Sequence, residues 1–132
     1  MDEVASPVVV LIVEDDSSTA ELLRRYLMKR KVDERRILSL VSAEEAVKYL
    51  ANNKPQCVII DDILPGLSGL ELLKEIRGMP EHRGTKIFFY SGNLDWERHA
   101  KAEQLGAQRW YVKGVSRVGD LIDHVAKACE FD

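Results

Sequence analysis

The sequence predicts an α/β protein built as a doubly wound, five-stranded parallel sheet with strand order 2-1-3-4-5. Three observations predict it. A short apolar run is followed by a stretch with helical spacing, and this happens five times. The first run is continuously apolar and β-branched, as in a strand buried on both faces, rather than alternating. Acidic, hydroxyl and ammonium side chains sit directly after several runs, where function gathers in such sheets. Right-handed crossovers then favour the 2-1-3-4-5 order.

Each element has a local reason. "VVVLIV" (Val8 to Val13) is β-branched and reads as a central strand. "SSTAELLRRYLMKRK" follows, with Leu22, Leu23, Tyr26 and Leu27 at helical spacing and Ser18 with Glu21 as a capping box. "RILSLV" is a shorter strand. "SAEEAVKYLANN" opens on Ser42 and Glu45, a second capping box. "CVII" (Cys57 to Ile60) is the third strand. "SGLELLKEIRG" starts on Ser68 and Glu71 and carries Leu70, Leu73 and Ile76 on one face. "KIFFY" (Lys86 to Tyr90) is the fourth strand. "LDWERHAKAEQLG" is a helix stopped by Gly106. "RWYV" (Arg109 to Val112) is the fifth strand. "VGDLIDHVAKACEF" is the last helix, with Leu121, Ile122, Val125 and Cys129 facing inward.

The 132 residues suit one domain, residues 1–132, with one core. A chain 45% hydrophobic and 31% charged is ordinary for a globular protein. Its net charge of -3 gives no electrostatic footprint for nucleic acid or an anionic membrane. Val8 to Val13, the longest apolar run, is too short to span a bilayer. The acidic start Met1-Asp2-Glu3 does not read as a signal peptide, so a cytoplasmic location is expected. Cys57 and Cys129 lack metal-ligand spacing and read as reduced core thiols.

Strand ends carry the chemistry. The first strand ends in Glu14-Asp15-Asp16, the third in Asp61-Asp62, the fourth in Ser91-Gly92-Asn93 and the fifth in Lys113-Gly114. Singly, each has a bland reading: acids complementing a helix N-terminus, turn-forming acids before Pro65-Gly66, a loop hydroxyl, a solvated lysine. Jointly they place a carboxylate cluster, one hydroxyl and one ammonium on a single rim. Such carboxylates stay ionised at low cost only with a cation. Hard oxygen ligands favour Mg²⁺ or Ca²⁺, and few protein ligands plus water favour Mg²⁺. A carboxylate beside that ion can attack phosphorus and form an acyl phosphate. These are the components of phosphoryl transfer.

On these residues the chain resembles the receiver domain of two-component response regulators over roughly Val8 to Ala128. The resemblance rests on "LIVEDD", on "IIDDILPGLSG" (similar to D-x-x-x-P-G-x-x-G), on "FFYSG" and on the lysine of "WYVKG". It implies a flavodoxin-like (βα)5 three-layer sandwich. It also assigns roles. Pro65 points to Asp61, four residues earlier, as the phosphoacceptor, with Asp62 the variable next position. Glu14 and Asp15 are the metal-binding acids, Asp15 directly and Glu14 through water, with the backbone carbonyl of Ile63 as a further metal oxygen. Ser91 is the switch hydroxyl, Lys113 contacts the phosphoryl group and Trp110 takes the place of the switch aromatic.

The function implied is a stand-alone response regulator, since no output domain follows Asp132. It would accept a phosphoryl group from a phosphohistidine on a histidine kinase or histidine phosphotransfer protein, using Mg²⁺, and signal to a downstream protein by contact. Its only enzymatic acts would be Mg²⁺-dependent self-phosphorylation and slow self-dephosphorylation. Neither nucleic acid nor membrane is an expected partner. The alternative is a phosphorylation-independent pseudo-receiver. An aspartyl-phosphate hydrolase is disfavoured, because Ile63 occupies the position of its second acid. A nucleotide or flavin site is disfavoured because no glycine-rich loop follows the first strand. Two departures from the family pattern stand out: Asp62 adds a charge, and Gly114 replaces the proline that usually follows the lysine in a cis bond. A non-proline cis bond costs about 2.5–4 kcal/mol, whereas glycine opens φ > 0. A trans bond with an unusual Gly114 conformation is therefore expected, with Lys113 still aimed at the carboxylates and a mobile loop to Arg117.

Overall fold

The computed structural model describes residues 8–129. The Met1-Asp2-Glu3 start, and Glu130 and Phe131 at the end of the predicted last helix, lie outside the described residues. Five strands alternate with five helices: β1 (Val10–Val13), α1 (Ser17–Lys29), β2 (Ile37–Leu40), α2 (Ala43–Leu50), β3 (Cys57–Ile60), α3 (Gly69–Arg77), β4 (Lys86–Ser91), α4 (Trp96–Gln104), β5 (Arg109–Val112) and α5 (Val118–Cys129). All strands pair in parallel, in the order β2-β1-β3-β4-β5. The expected sheet and order are those observed.

Alternation along each strand divides the core into two layers. Val10, Ile12, Ile59, Phe88 and Tyr90 pack against Leu23 and Leu27 of α1 and Leu121, Ile122 and Val125 of α5. The intervening Leu11, Val13, Val58, Ile60, Ile87 and Phe89 meet α2, α3 and α4 through Ala46, Leu50, Leu73, Ile76 and Ala102. Continuous apolar runs are thus needed in β1 and β3, which are buried along their whole length, while the edge strands β2 and β5 are only partly covered. Each fully buried Leu or Ile contributes roughly 1.5–3 kcal/mol. Cys57 and Cys129 are both buried and unbridged in the first layer, as expected.

Helix ends explain the differences from the sequence reading. The expected Ser18–Glu21 box is not formed. Asp16 holds the N-cap of α1, and its carboxylate accepts from the Ser18 and Thr19 hydroxyls instead. Leu22, grouped with the apolar face of that helix, is exposed. Ser42 caps α2 through the Glu45 N–H at 3.1 Å, but the Glu45 carboxylate reaches Val41 N, not Ser42 N, so that box is half made. Ser68 and Glu71 form the full reciprocal box at 3.1 and 2.9 Å. α4 is shorter than predicted at both ends. Asp95 caps it, and it ends in a Schellman motif with Gly106 at φ +86, Gly106 N bonded to Glu103 O and Ala107 N to Ala102 O. β4 runs one residue further than predicted, to Ser91, because Ser91 pairs with Val112.

Candidate functional site

The rim at the carboxyl ends of β1, β3, β4 and β5 collects the predicted residues. Its register comes from the ladder itself. Glu14 N donates to Leu40 O and Asp61 N to Val13 O (3.0 Å), so Glu14 and Asp61 end neighbouring strands at the same height. Lys113 N donates to Ser91 O at 3.0 Å, which extends the β4–β5 pairing one step past the sheet. Glu14, Asp61, Asp62 and Ser91 are all buried.

The geometry is specific. Lys113 Nζ donates to Glu14 Oε1 at 2.7 Å and to Asp61 Oδ2 at 2.8 Å. The other Asp61 oxygen accepts from Ile63 N at 3.0 Å, and Glu14 Oε2 accepts from Asp16 N at 3.1 Å. Glu14, Asp15 and Asp61 bring ligand oxygens within 4.8 Å of one another. Burial pushes the Glu14 carboxyl up to about 7, with the Asp61 charge adding to it and hydrogen bonds from Lys113 and Asp16 N opposing. Burial works against the Lys113 ammonium, but hydrogen bonds to Asp61 and Glu14 outweigh it and hold its pKa above the usual value. With all three carboxylates ionised, the one ammonium leaves two negative charges, which a divalent cation would balance.

Gly114 delivers the lysine. It has φ +79, where a side chain is strained, and no peptide bond among the described residues is cis. The turn closes with Val115 N and Ser116 N on Val112 O, and the Ser116 hydroxyl takes Val112 N at 2.9 Å. The expected trans bond with a left-handed glycine is what the backbone adopts.

Ser91 ends β4 with no solvent exposure, and its hydroxyl accepts from Asn93 N at 3.4 Å. Ile63 turns its N–H onto Asp61 and leaves its side chain exposed. Trp110 stacks between Phe89 (4.5 Å between ring centroids, 5° between planes) and His99 (4.1 Å, 25°), with its buried Nε1 unpartnered among the described residues.

Sequence reasoning treated Asp62 as one added charge at a variable position and missed its partners. Asp62 is 3% exposed. Arg98 grips it with both arms of the guanidinium, Nε on Oδ2 at 2.6 Å and Nη2 on Oδ1 at 2.8 Å. Leu70 N and Asn93 Nδ2 complete its shell at 2.9 and 2.8 Å. Burial alone would raise its pKa, but the hydrogen bonds from Arg98 and Leu70 N, the Arg98 charge and Asn93 together hold it below the ordinary value. The sole sequence signal was a basic residue three positions after the Asp95 cap, which could not name its partner.

Comparison with known proteins bears on the family and the fold. The family described as response regulator receiver domain matches residues 10–126. The transcriptional regulatory protein YvrH of Bacillus subtilis is 35% identical over 104 residues, covering 79% of this chain and 42% of that protein. The transcriptional regulatory protein MalR of the same organism is 33% identical over 124 residues, covering 93% and 45%. The chain therefore spans less than half the length of these two relatives. The receiver domain of the Francisella response regulator 1452 superposes with a TM-score of 0.81 at 22% identity, over 95% of this chain and 98% of that one, a likeness of fold.

Proposed function

Because the chain belongs to the response regulator receiver domain family, we propose that it is a Mg²⁺-dependent phosphoryl acceptor of a two-component or phosphorelay pathway, with Asp61 as the acceptor. The family is one of signalling proteins rather than turnover enzymes. The observation that carries the proposal is the position of Asp61. Its carboxylate, like that of Glu14, belongs both to the acidic group that can hold a metal and to the pair that shares Lys113, and of the two it is the one four residues before Pro65.

Glu14, Asp15, Asp61 and the Ile63 carbonyl would hold the ion, and their hard oxygens suit Mg²⁺. Bound there, Mg²⁺ would neutralise charge on the phosphoryl oxygens. An Asp61 oxygen attacks the phosphorus of a phosphohistidine. The new O–P bond forms as the P–N bond breaks, and the electron pair of that bond leaves on the imidazole nitrogen. Lys113 stays beside the new acyl phosphate and shares its ammonium with the phosphoryl oxygens. The Ser91 hydroxyl turns from Asn93 N toward those oxygens, which carries the loop after β4 with it. That loop is tied to Trp110 through His99, whose Nε2 bonds Asn93 O at 2.9 Å while its ring stacks on the indole. Phosphorylation would thus repack Trp110 and alter the α4–β5–α5 surface, a local charge event read remotely.

The donors are a histidine kinase or histidine phosphotransfer protein, and the readout is contact with a downstream protein rather than nucleic acid or membrane. Among the described residues no helix is long and apolar enough to cross a membrane. A cytoplasmic location and a single receiver domain acting alone are part of the proposal. The apparent mass of the protein in cell extracts, 15.0 kDa against a larger product, tests the last point.

Beryllofluoride, a phosphoryl analogue, separates this function from a pseudo-receiver. It is expected to bind in the presence of Mg²⁺, by calorimetry, and to change Trp110 emission in Trp96→Phe protein. Calorimetric silence with Mg²⁺ present would identify an interaction module that is never phosphorylated.

A further inference from the structure

Asp61 and Asp62 are consecutive acids, both almost fully buried, and they keep different company. Asp61 shares Lys113 with Glu14 and lies in the metal-capable group. Both oxygens of Asp62 are occupied by two donors each. Oδ1 takes Leu70 N and Arg98 Nη2, and Oδ2 takes Asn93 Nδ2 and Arg98 Nε. Two adjacent buried carboxylates cannot both stay ionised without separate compensation. Lys113 is already divided between Glu14 and Asp61, so the charge on Asp62 must be met by Arg98. A planar fork meets it better than a point charge would, because it fixes the plane of the carboxylate as well as its charge.

Arg98 is itself held in place. It lies in the first turn of α4, its N–H 3.4 Å from the capping carboxylate of Asp95, and its Nη2 also donates to Ser68 Oγ at 3.1 Å, the hydroxyl that caps α3. Asn93, the remaining side-chain donor to Asp62, sits two residues after Ser91. One ionic knot therefore joins the residue after Asp61, the start of α3, the start of α4 and the loop that carries Ser91.

We propose that Arg98 is a positioning residue for phosphoryl acceptance: by neutralising Asp62 and holding it toward α3 and α4, it reserves the acceptor role for Asp61. The inference rests on Asp61 being the acceptor. Without Arg98 the rim gains an uncompensated anion beside Asp61, which repels an anionic phosphodonor while doing nothing to repel a cation. An added anion slows the phosphodonor without weakening the cation, whereas simple loosening of the rim weakens both.

The test follows labelling by a small phosphodonor and Mg²⁺ binding in parallel. In Arg98→Met protein the initial labelling rate is expected to fall about tenfold, a modest loss for a disturbed reacting geometry, while the Mg²⁺ midpoint does not rise. Adding Asp62→Asn in the same chain should return the rate to within about twofold of Asp62→Asn alone, since the charge that needed Arg98 is gone. Arg98→Lys, which keeps the charge and loses the fork, should fall between. An Arg98→Met rate equal to wild type, a raised Mg²⁺ midpoint, or no recovery with Asp62→Asn overturns the proposal. If Arg98→Met protein does not fold, Arg98→Lys decides: a wild-type rate overturns the proposal, and a reduced rate restored by Asp62→Asn supports it. Absence of labelling in the wild-type protein would instead remove the acceptor reading on which this one stands.

Discussion

Lys113 Nζ lies 2.8 Å from Asp61 Oδ2, although 52 residues separate the two in sequence. The ammonium is the cation shared by Asp61 and Glu14, and it is a quarter exposed. Replacing it in Lys113→Met leaves two buried carboxylates facing each other. A fully buried broken pair costs about 3–5 kcal/mol. With partial solvent access the expected loss is about 1–2 kcal/mol, read by urea denaturation without divalent ions, and Mg²⁺ should recover part of it. Unchanged stability would show that the carboxylates do not depend on the lysine.

Metal affinity should follow the ligands that are free to bind. Glu14 is already held by Lys113 and Asp16 N, whereas Asp15 is exposed beside it. Asp15→Asn is expected to weaken Mg²⁺ about tenfold or more, and Asp16→Asn much less. Equal losses at Glu14, Asp15 and Asp16 in a titration would mean that a diffuse acidic patch holds the ion.

Gly69 is where α3 meets the end of β3. A Cβ there would lie 2.5 Å from Asp61 O and 2.8 Å from both Asp62 Cα and Ile60 Cγ2. Gly69→Ala should therefore destabilise by about 1–3 kcal/mol through overpacking, despite alanine's better helix propensity. A denaturation midpoint at or above wild type would show that α3 can retreat from the strand end at no cost.

His124 gives the fold a pH response away from the rim. Its Nδ1 is 2.9 Å from the Tyr111 hydroxyl, and its ring meets Phe88 edge-on. Partial burial, then the charges of Arg109 and Lys127, lower its pKa. The unfolded chain thus binds the proton first, at about 6.5. Stability from this residue is present above that value and is lost as the pH falls from there toward the folded value. Between pH 8 and pH 5.5 the melting temperature of His124→Gln should drop less than that of wild type. Parallel curves would mean that His124 titrates alike in both states.

The strands and their order were legible because a sheet covered on both faces demands continuous apolar runs, as in Val10–Val13 and Cys57–Ile60. Helix starts were less so. Asp16 and Ser18 are both good caps, and only the packed chain decides that Asp16 begins α1. Glu14, Asp61 and Lys113 could be placed on one rim because each directly follows a strand, with Asp15 next to Glu14. The choice of Asp61 over Asp62 needed the spacing to Pro65 and the family pattern. The Arg98–Asp62 pair was out of reach: 36 residues separate them, and their meeting depends on how α4 seats against α3. The same holds for His99, whose stacking on Trp110 follows from tertiary packing.

The most direct test of the account is intact-mass analysis of the protein incubated with a small phosphodonor and Mg²⁺, comparing wild type, Asp61→Asn and Asp62→Asn. One added phosphoryl group is expected on wild type and on Asp62→Asn protein, none on Asp61→Asn, and none on any of them when Mg²⁺ is chelated. Label on Asp61→Asn protein, or its loss only in Asp62→Asn, would contradict the assignment of Asp61 as the acceptor.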